Sequence, residues 1–252
     1  MKKKLLNLKA MIKINFKRIR IKRLALICFL FLSFLSYRVE ATHVVGSDVT
    51  YTCTGTPGVY QVTFKIYRDC SDPYPLCSGC PTPGPLSSGC NLSISIVGAA
   101  GSCTGTSFGS QSISVVTAVS ALDVIQLCAS SLTVCTNCAS RTPGSFTPGI
   151  EVYTFVGQIN LSGLPASCCM VYLGYQTCCR NGAITTLSNP LSLSFFTQAT
   201  INRCASPCNS APAFTNDPVA VTCAGQDFTY NLGAIDPDGD SLSYAFGQSL
   251  VG

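Results

Sequence analysis

Three carboxylates stand at alternate positions in Asp236-Pro237-Asp238-Gly239-Asp240. Oxygen donors so closely spaced can converge on a hard cation, and Ca²⁺ prefers such ligands. Gly239 permits a tight bend, and Pro237 narrows the freedom of the loop. An EF-hand is excluded, because its sixth loop position would be Ser241 and its twelfth Gly247. The pattern predicts a weak Ca²⁺ site carried by Asp236, Asp238 and Asp240. The plain alternative is an acidic, solvated turn.

Other motifs point to chemistry less well. Gly105-Thr106-Ser107-Phe108-Gly109 matches the G-x-S-x-G pattern of serine hydrolases, which needs a strand-turn-helix around the Ser and a His elsewhere. The chain has one His, His43, and no helical pattern follows Ser107. A Gly/Ser turn is the better reading, and no catalytic residues are expected. Cys77-Ser78-Gly79-Cys80 and Cys135-Thr136-Asn137-Cys138 are C-x-x-C pairs. They lie too far apart for ribbon-type Zn²⁺ spacing and lack the βαβ setting of a redox motif, so disulfides are expected. Neighbours in a strand point to opposite faces, so Cys168-Cys169 and Cys178-Cys179 are expected to bond elsewhere.

The compartment follows from the first residues. Ten of the 16 Lys and Arg fall within residues 1–23, and an apolar run of twelve follows from Leu24 to Leu35, broken by Ser33. Twelve residues span roughly 18 Å as a helix, short of the ~30 Å hydrocarbon core. With a small-x-small exit at Val39-Glu40-Ala41, residues 1–41 read as a secretory signal peptide, beginning at Met1 or Met11. Beyond Ala41, five basic residues face ten acidic ones, a net charge of −5. No basic cluster remains for nucleic acid. Sixteen Cys remain, an even number that reads as a disulfide framework of a secreted chain.

Alternation with period two supplies the elements. Tyr60, Val62, Phe64 and Ile66 share one face; Leu92, Ile94 and Ile96 another; Leu191, Leu193 and Phe195 a third. Further β-rich runs are Val49–Cys53, Ile113–Val119, Val124–Cys128, Ile150–Ile159, Met170–Tyr175, Phe228–Leu232 and Leu242–Phe246. Gly, Pro, Ser and Asn clusters separate them, and no segment beyond the leader carries a helical stripe. An all-β, disulfide-stapled sandwich is expected over 42–208, with room for two subdomains. Asn209-Ser210-Ala211-Pro212 reads as an extended linker, and 209–252 is too short for a sandwich of ~100 residues. It is expected to be the truncated start of a second sandwich.

Thr42-His43-Val44-Val45-Gly46, Tyr51-Thr52-Cys53 and Tyr60–Cys70 together resemble the mature start of large secreted proteins of gliding Gram-negative bacteria. Cys178-Cys179-Arg180-Asn181-Gly182, with Ile184 and Asn189-Pro190, looks like a second block of that family. The stretch 209–246 resembles the opening of a cadherin-like or PKD-like repeat of Ig type, with Asp236–Ser241 as its calcium-associated part. The resemblance implies a cell-surface or extracellular protein, exported by type IX secretion and associated with gliding motility or adhesion. No sorting tail is visible in these residues. Two function classes follow. One is a non-enzymatic adhesin whose β repeats are stiffened by calcium; the other is the targeting region of a larger secreted hydrolase. The partner, glycan or protein, stays open.

Overall fold

The computed structural model describes residues 44–70, 90–116, 122–125, 133, 135, 149–219, 225, 227–231 and 233–247. The expected signal peptide, His43 and both cysteines of Cys77-Ser78-Gly79-Cys80 lie outside them. Among the described residues there is no α-helix, and the fold is an all-β sandwich closed by disulfides.

Among the described residues ten strands follow in chain order: β1 (Val44–Cys53), β2 (Val59–Asp69), β3 (Asn91–Gly98), β4 (Ser107–Val115), β5 (Leu122–Asp123), β6 (Ile150–Asn160), β7 (Met170–Cys178), β8 (Ser194–Asn202), β9 (Ala213–Phe214) and β10 (Ala234–Ile235). The first eight form one antiparallel succession, β1-β2-β6-β4-β3-β7-β8, with β5 also on β6. It folds over at a narrow seam where β4 meets β6 through Ser114↔Val156 and Val115↔Phe155. One layer is therefore β1-β2-β6 and the other β4-β3-β7-β8. Gly157 permits the seam, since a Cβ there would lie 2.7 Å from Ile113 Cγ2. The outer strands meet as well: Tyr51 Oη on β1 donates to the Thr200 carbonyl on β8 at 2.9 Å.

The core is the inner alternation of both layers. Tyr60, Val62, Phe64 and Ile66 pack with Leu92, Ile94 and Ile96, with Ile113, with Tyr153 and Phe155, and with Val171 and Leu173. Each fully buried side chain of this size contributes about 1.5–3 kcal/mol relative to exposure. The third expected stripe is displaced. Asn189 adopts φ 55° and Pro190–Ser192 form a 3-10 turn, so Leu191 faces solvent and β8 begins only at Ser194.

Disulfides fix the strand ends. Cys53–Cys208 ties the end of β1 to the linker, Cys70–Cys135 holds the end of β2, and Cys103–Cys168 joins the β3–β4 turn to the approach of β7. Cys169–Cys204 closes the β7–β8 pair. Cys168 and Cys169 thus bond elsewhere, as expected, although both precede β7 and so stand outside the strand whose alternation was the reason given. Cys178 and Cys179 bond to each other instead. Alternation of faces belongs to a strand interior, whereas β7 ends at Cys178.

The stretch after Cys208 is less regular than its sequence pattern. Its strands, β9 and β10, are two residues each and pair only with one another, through Ala234↔Phe214 and Ile235↔Ala213. The described parts of Phe228–Leu232 and all of Leu242–Phe246 run without ladder partners.

Candidate functional site

The acidic loop follows β10 directly. One Asp236 carboxylate oxygen accepts the backbone N–H groups of Asp238 at 2.9 Å and Asp240 at 3.2 Å. Asp238 accepts the N–H of Ser210 in the linker. Gly239, at φ 83°, closes the turn with its N–H on the Asp236 carbonyl. The loop lies under β1: the phenol of Tyr51 is pushed up by burial, then by Tyr60, Asp236 and Asp238. The three carboxylates do not converge. Among the described residues no group of three His, Cys, Asp or Glu side chains is gathered as a metal centre. The arrangement is a self-capped turn that latches the linker.

Ser107 opens β4 as an exposed residue, and its hydroxyl accepts the Gly109 N–H at 3.4 Å. A strand follows where a hydrolase elbow needs a helix, so the nucleophile geometry is missing. Cys135 is bonded to Cys70, which removes it from any C-x-x-C redox pair or Zn²⁺ site with Cys138.

The two sequence blocks of the resemblance, more than a hundred residues apart, meet at one end of the sandwich. Asn181 Nδ2 donates to Asp69 Oδ2 at 3.2 Å, and Val44 bridges to Arg180 in parallel. Beside them Arg68 pairs with Glu151 directly across β2 and β6, both side chains at most 1% exposed. Tyr153 Oη adds a donor to Glu151 at 3.3 Å. Removing one partner of such a buried pair costs about 3–5 kcal/mol, because the other charge is stranded. This end is built as a structural lock.

Sequence reasoning missed Asp217. Its carboxylate accepts Lys65 Nζ at 3.2 Å and Tyr67 Oη at 3.0 Å, while its carbonyl accepts Tyr230 Oη. Burial, aided by the bond to Asp217, drives the Tyr67 phenol far above its ordinary range. Asp48, opposite Lys65 in the β1–β2 register, is raised by burial, lowered by Lys65 and raised again by Asp217. The signal was available: Lys65 is the one lysine after Ala41, and Asp217-Pro218 interrupts the segment that must cross it. A cleft of about 610 Å³ opens beside the pair, with Leu122, Val124, Ile125 and Val152 among its walls.

Arg203, just after β8, was also missed. Its Nη1 donates to the carbonyls of Cys168 at 3.1 Å and Pro165 at 3.5 Å. Its Nε is sealed from solvent without an acceptor, and among the described residues no carboxylate pairs with it. An orphaned donor of this kind costs about 1–3 kcal/mol. Arg203 lines a pocket of about 250 Å³ with Pro57, Gly58, Tyr60, Ser162 and Pro207. Gly58 is at φ 76°, and a Cβ there would lie 3.0 Å from the Ser162 backbone. Three disulfides flank the pocket: Cys208 follows Pro207, Cys204 follows Arg203, and Cys168 supplies a carbonyl that holds the guanidinium.

Comparison of the chain with family models, with curated proteins and with solved structures finds no match in any of the three.

Proposed function

We propose that the chain is a non-enzymatic extracellular module of a cell-surface protein, an adhesin or gliding-associated component, that presents its loops on a stapled β-sandwich. The observation that carries this reading is that all eleven cysteines among the described residues are disulfide-bonded. Such a network belongs to an oxidising compartment. The resemblance to secreted proteins of gliding bacteria supplies the finer assignment to the outer cell surface, and the linker-latching loop suits a string of repeats.

Calcium enters this proposal as a weak contact on an exposed turn. Asp236 and Asp238 each commit an oxygen to backbone N–H groups, so an ion would rely on their second oxygens, Asp240 and water. Dissociation constants of roughly 10⁻⁴–10⁻³ M are usual for extracellular modules. Calorimetric titration of the oxidised protein with Ca²⁺, against Asp238→Ala, tests this part. Equal heats remove calcium from the proposal and leave the latch.

The broader reading is tested on the exported protein. Surface labelling of intact producing cells should detect it, and beads coated with it should attach saturably to a glycan- or protein-coated surface. Turnover of glycan, ester or peptide substrates by the natural full-length product would favour the targeting region of a hydrolase. Stoichiometric labelling of Ser107 by a serine-directed probe would overturn the non-enzymatic reading.

A further inference from the structure

We infer that the pocket at Arg203 is a binding site for a small carboxylate, a role that goes beyond the adhesive reading and stands without it. Lys65 has Asp217 and Arg68 has Glu151, whereas no carboxylate among the described residues pairs with Arg203. In a chain of net charge −5 beyond Ala41 carboxylates are plentiful, yet among the described residues none pairs with Arg203.

The side chain is also held in place. Two backbone carbonyls fix Nη1, and Nε is sealed, which leaves Nη2 as the donor for the pocket. A carboxylate on Nη2 would neutralise the charge through a charge-assisted hydrogen bond from a guanidinium already held in place. The walls are set beforehand by the flanking disulfides and by Gly58 against Ser162, so little ordering remains to oppose binding. Other polar groups at the rim are already spent. Tyr60 Oη donates to the Pro207 carbonyl at 2.9 Å, and Ser162 Oγ to Asn160 Oδ1 at 2.7 Å. Recognition therefore rests on one charge and on the apolar faces of Pro57, Pro207 and Tyr60. A volume near 250 Å³ lies just below the roughly 300–1,000 Å³ of drug-sized sites, room for a single carboxylate-bearing group.

The experiment titrates the oxidised exported protein with acetate, glucuronate and glucose, following amide shifts by NMR. Saturable binding of acetate or glucuronate, with the largest shifts at Gly58, Ser162 and Arg203, is expected. Equal affinities for the two acids assign the site to the carboxylate alone; tighter glucuronate adds the sugar ring as part of the ligand. Arg203→Gln should weaken binding about tenfold or more, and Arg203→Lys should recover only part of it, since a flexible ammonium is not held in place as the guanidinium is by the Cys168 and Pro165 carbonyls. Glucose binding as well as glucuronate, or unchanged affinity in a folded Arg203→Gln, would overturn the inference. If Arg203→Gln does not fold, the wild-type map decides: shifts confined to other surfaces, or no saturation, overturn it equally. Failure here leaves the surface-labelling and attachment results untouched.

Discussion

Phe64 and Tyr244 sit in the same kind of sequence, an alternation of apolar and small or polar residues, and have opposite fates. Phe64 on β2 is fully buried, whereas Tyr244 is 68% exposed. Phe228, Ile235 and Phe246 share that exposure, all within the stretch after Cys208. Alternation specifies which face of a strand is apolar but does not create the strand. A partner ladder and a second layer must exist before the pattern buries anything, and isolated two-stranded pieces are marginal in water. The alternating runs on β2, β3, β6 and β7 find such a partner. Around β9 and β10 the ladder is two residue pairs long.

The largest test of this contrast is Phe64→Ala, which should cost about 3–5 kcal/mol in denaturant unfolding of the oxidised protein. A loss below about 1 kcal/mol would mean that the two layers are not packed as described. Next, the double change Cys53→Ala with Cys208→Ala should cost about 2–4 kcal/mol. It should also hasten proteolysis within 209–247 ahead of the sandwich. Uniform digestion of both regions would show that the disulfide does not hold them together.

Asp48 gives a smaller effect with a definite sign. Burial, offset by Lys65 and reinforced by Asp217, holds its folded pKa above 3.8. The native state keeps that proton to higher pH than the unfolded chain, so the group favours folding in acid. Its contribution falls as pH rises from 3.8 through the raised value. Asp48→Asn should flatten this part of the Tm–pH profile and raise Tm at neutral pH by about 1–2 °C. The smallest effect belongs to Tyr244→Ala, expected within about 0.5 kcal/mol of wild type. A loss like that of Phe64→Ala would dissolve the contrast.

Much of the sandwich was legible because β2, β3 and β6 carry their burial pattern in residue type. The first half of β4 was not. Ser107, Gly109, Ser110 and Ser112 have turn-like composition and are strand only because Ser95 and Ser93 of β3 pair with Ser110 and Ser112. The expectation from side-chain alternation matched Cys168 and Cys169, which stand just before β7, and failed at Cys178 and Cys179, where the strand stops. The acidic loop was found, but its spacing could not reveal that Asp236 caps its own turn or that Asp238 reaches Ser210. Asp217 and Arg203 escaped because their significance lies in what they face. Lys65 is 152 positions from Asp217, and the lack of a carboxylate at Arg203 among the described residues has no sequence signature at all.

The bond between Cys53 and Cys208 also decides where a pull on the protein would be felt. It joins the end of the first strand to the linker across 155 positions. Tension entering through β1 and leaving through the residues after the linker would load β1 itself, then cross that covalent bridge and bypass the strands between Cys53 and Cys208. The bridged segment, fully drawn out, would measure on the order of 500 Å at ~3.3–3.6 Å per residue. While the bridge is intact, that contour stays hidden from the load. The strands from β2 to β8 would ride beside the line of force, with the Arg203 pocket keeping its shape while the chain around it is stretched.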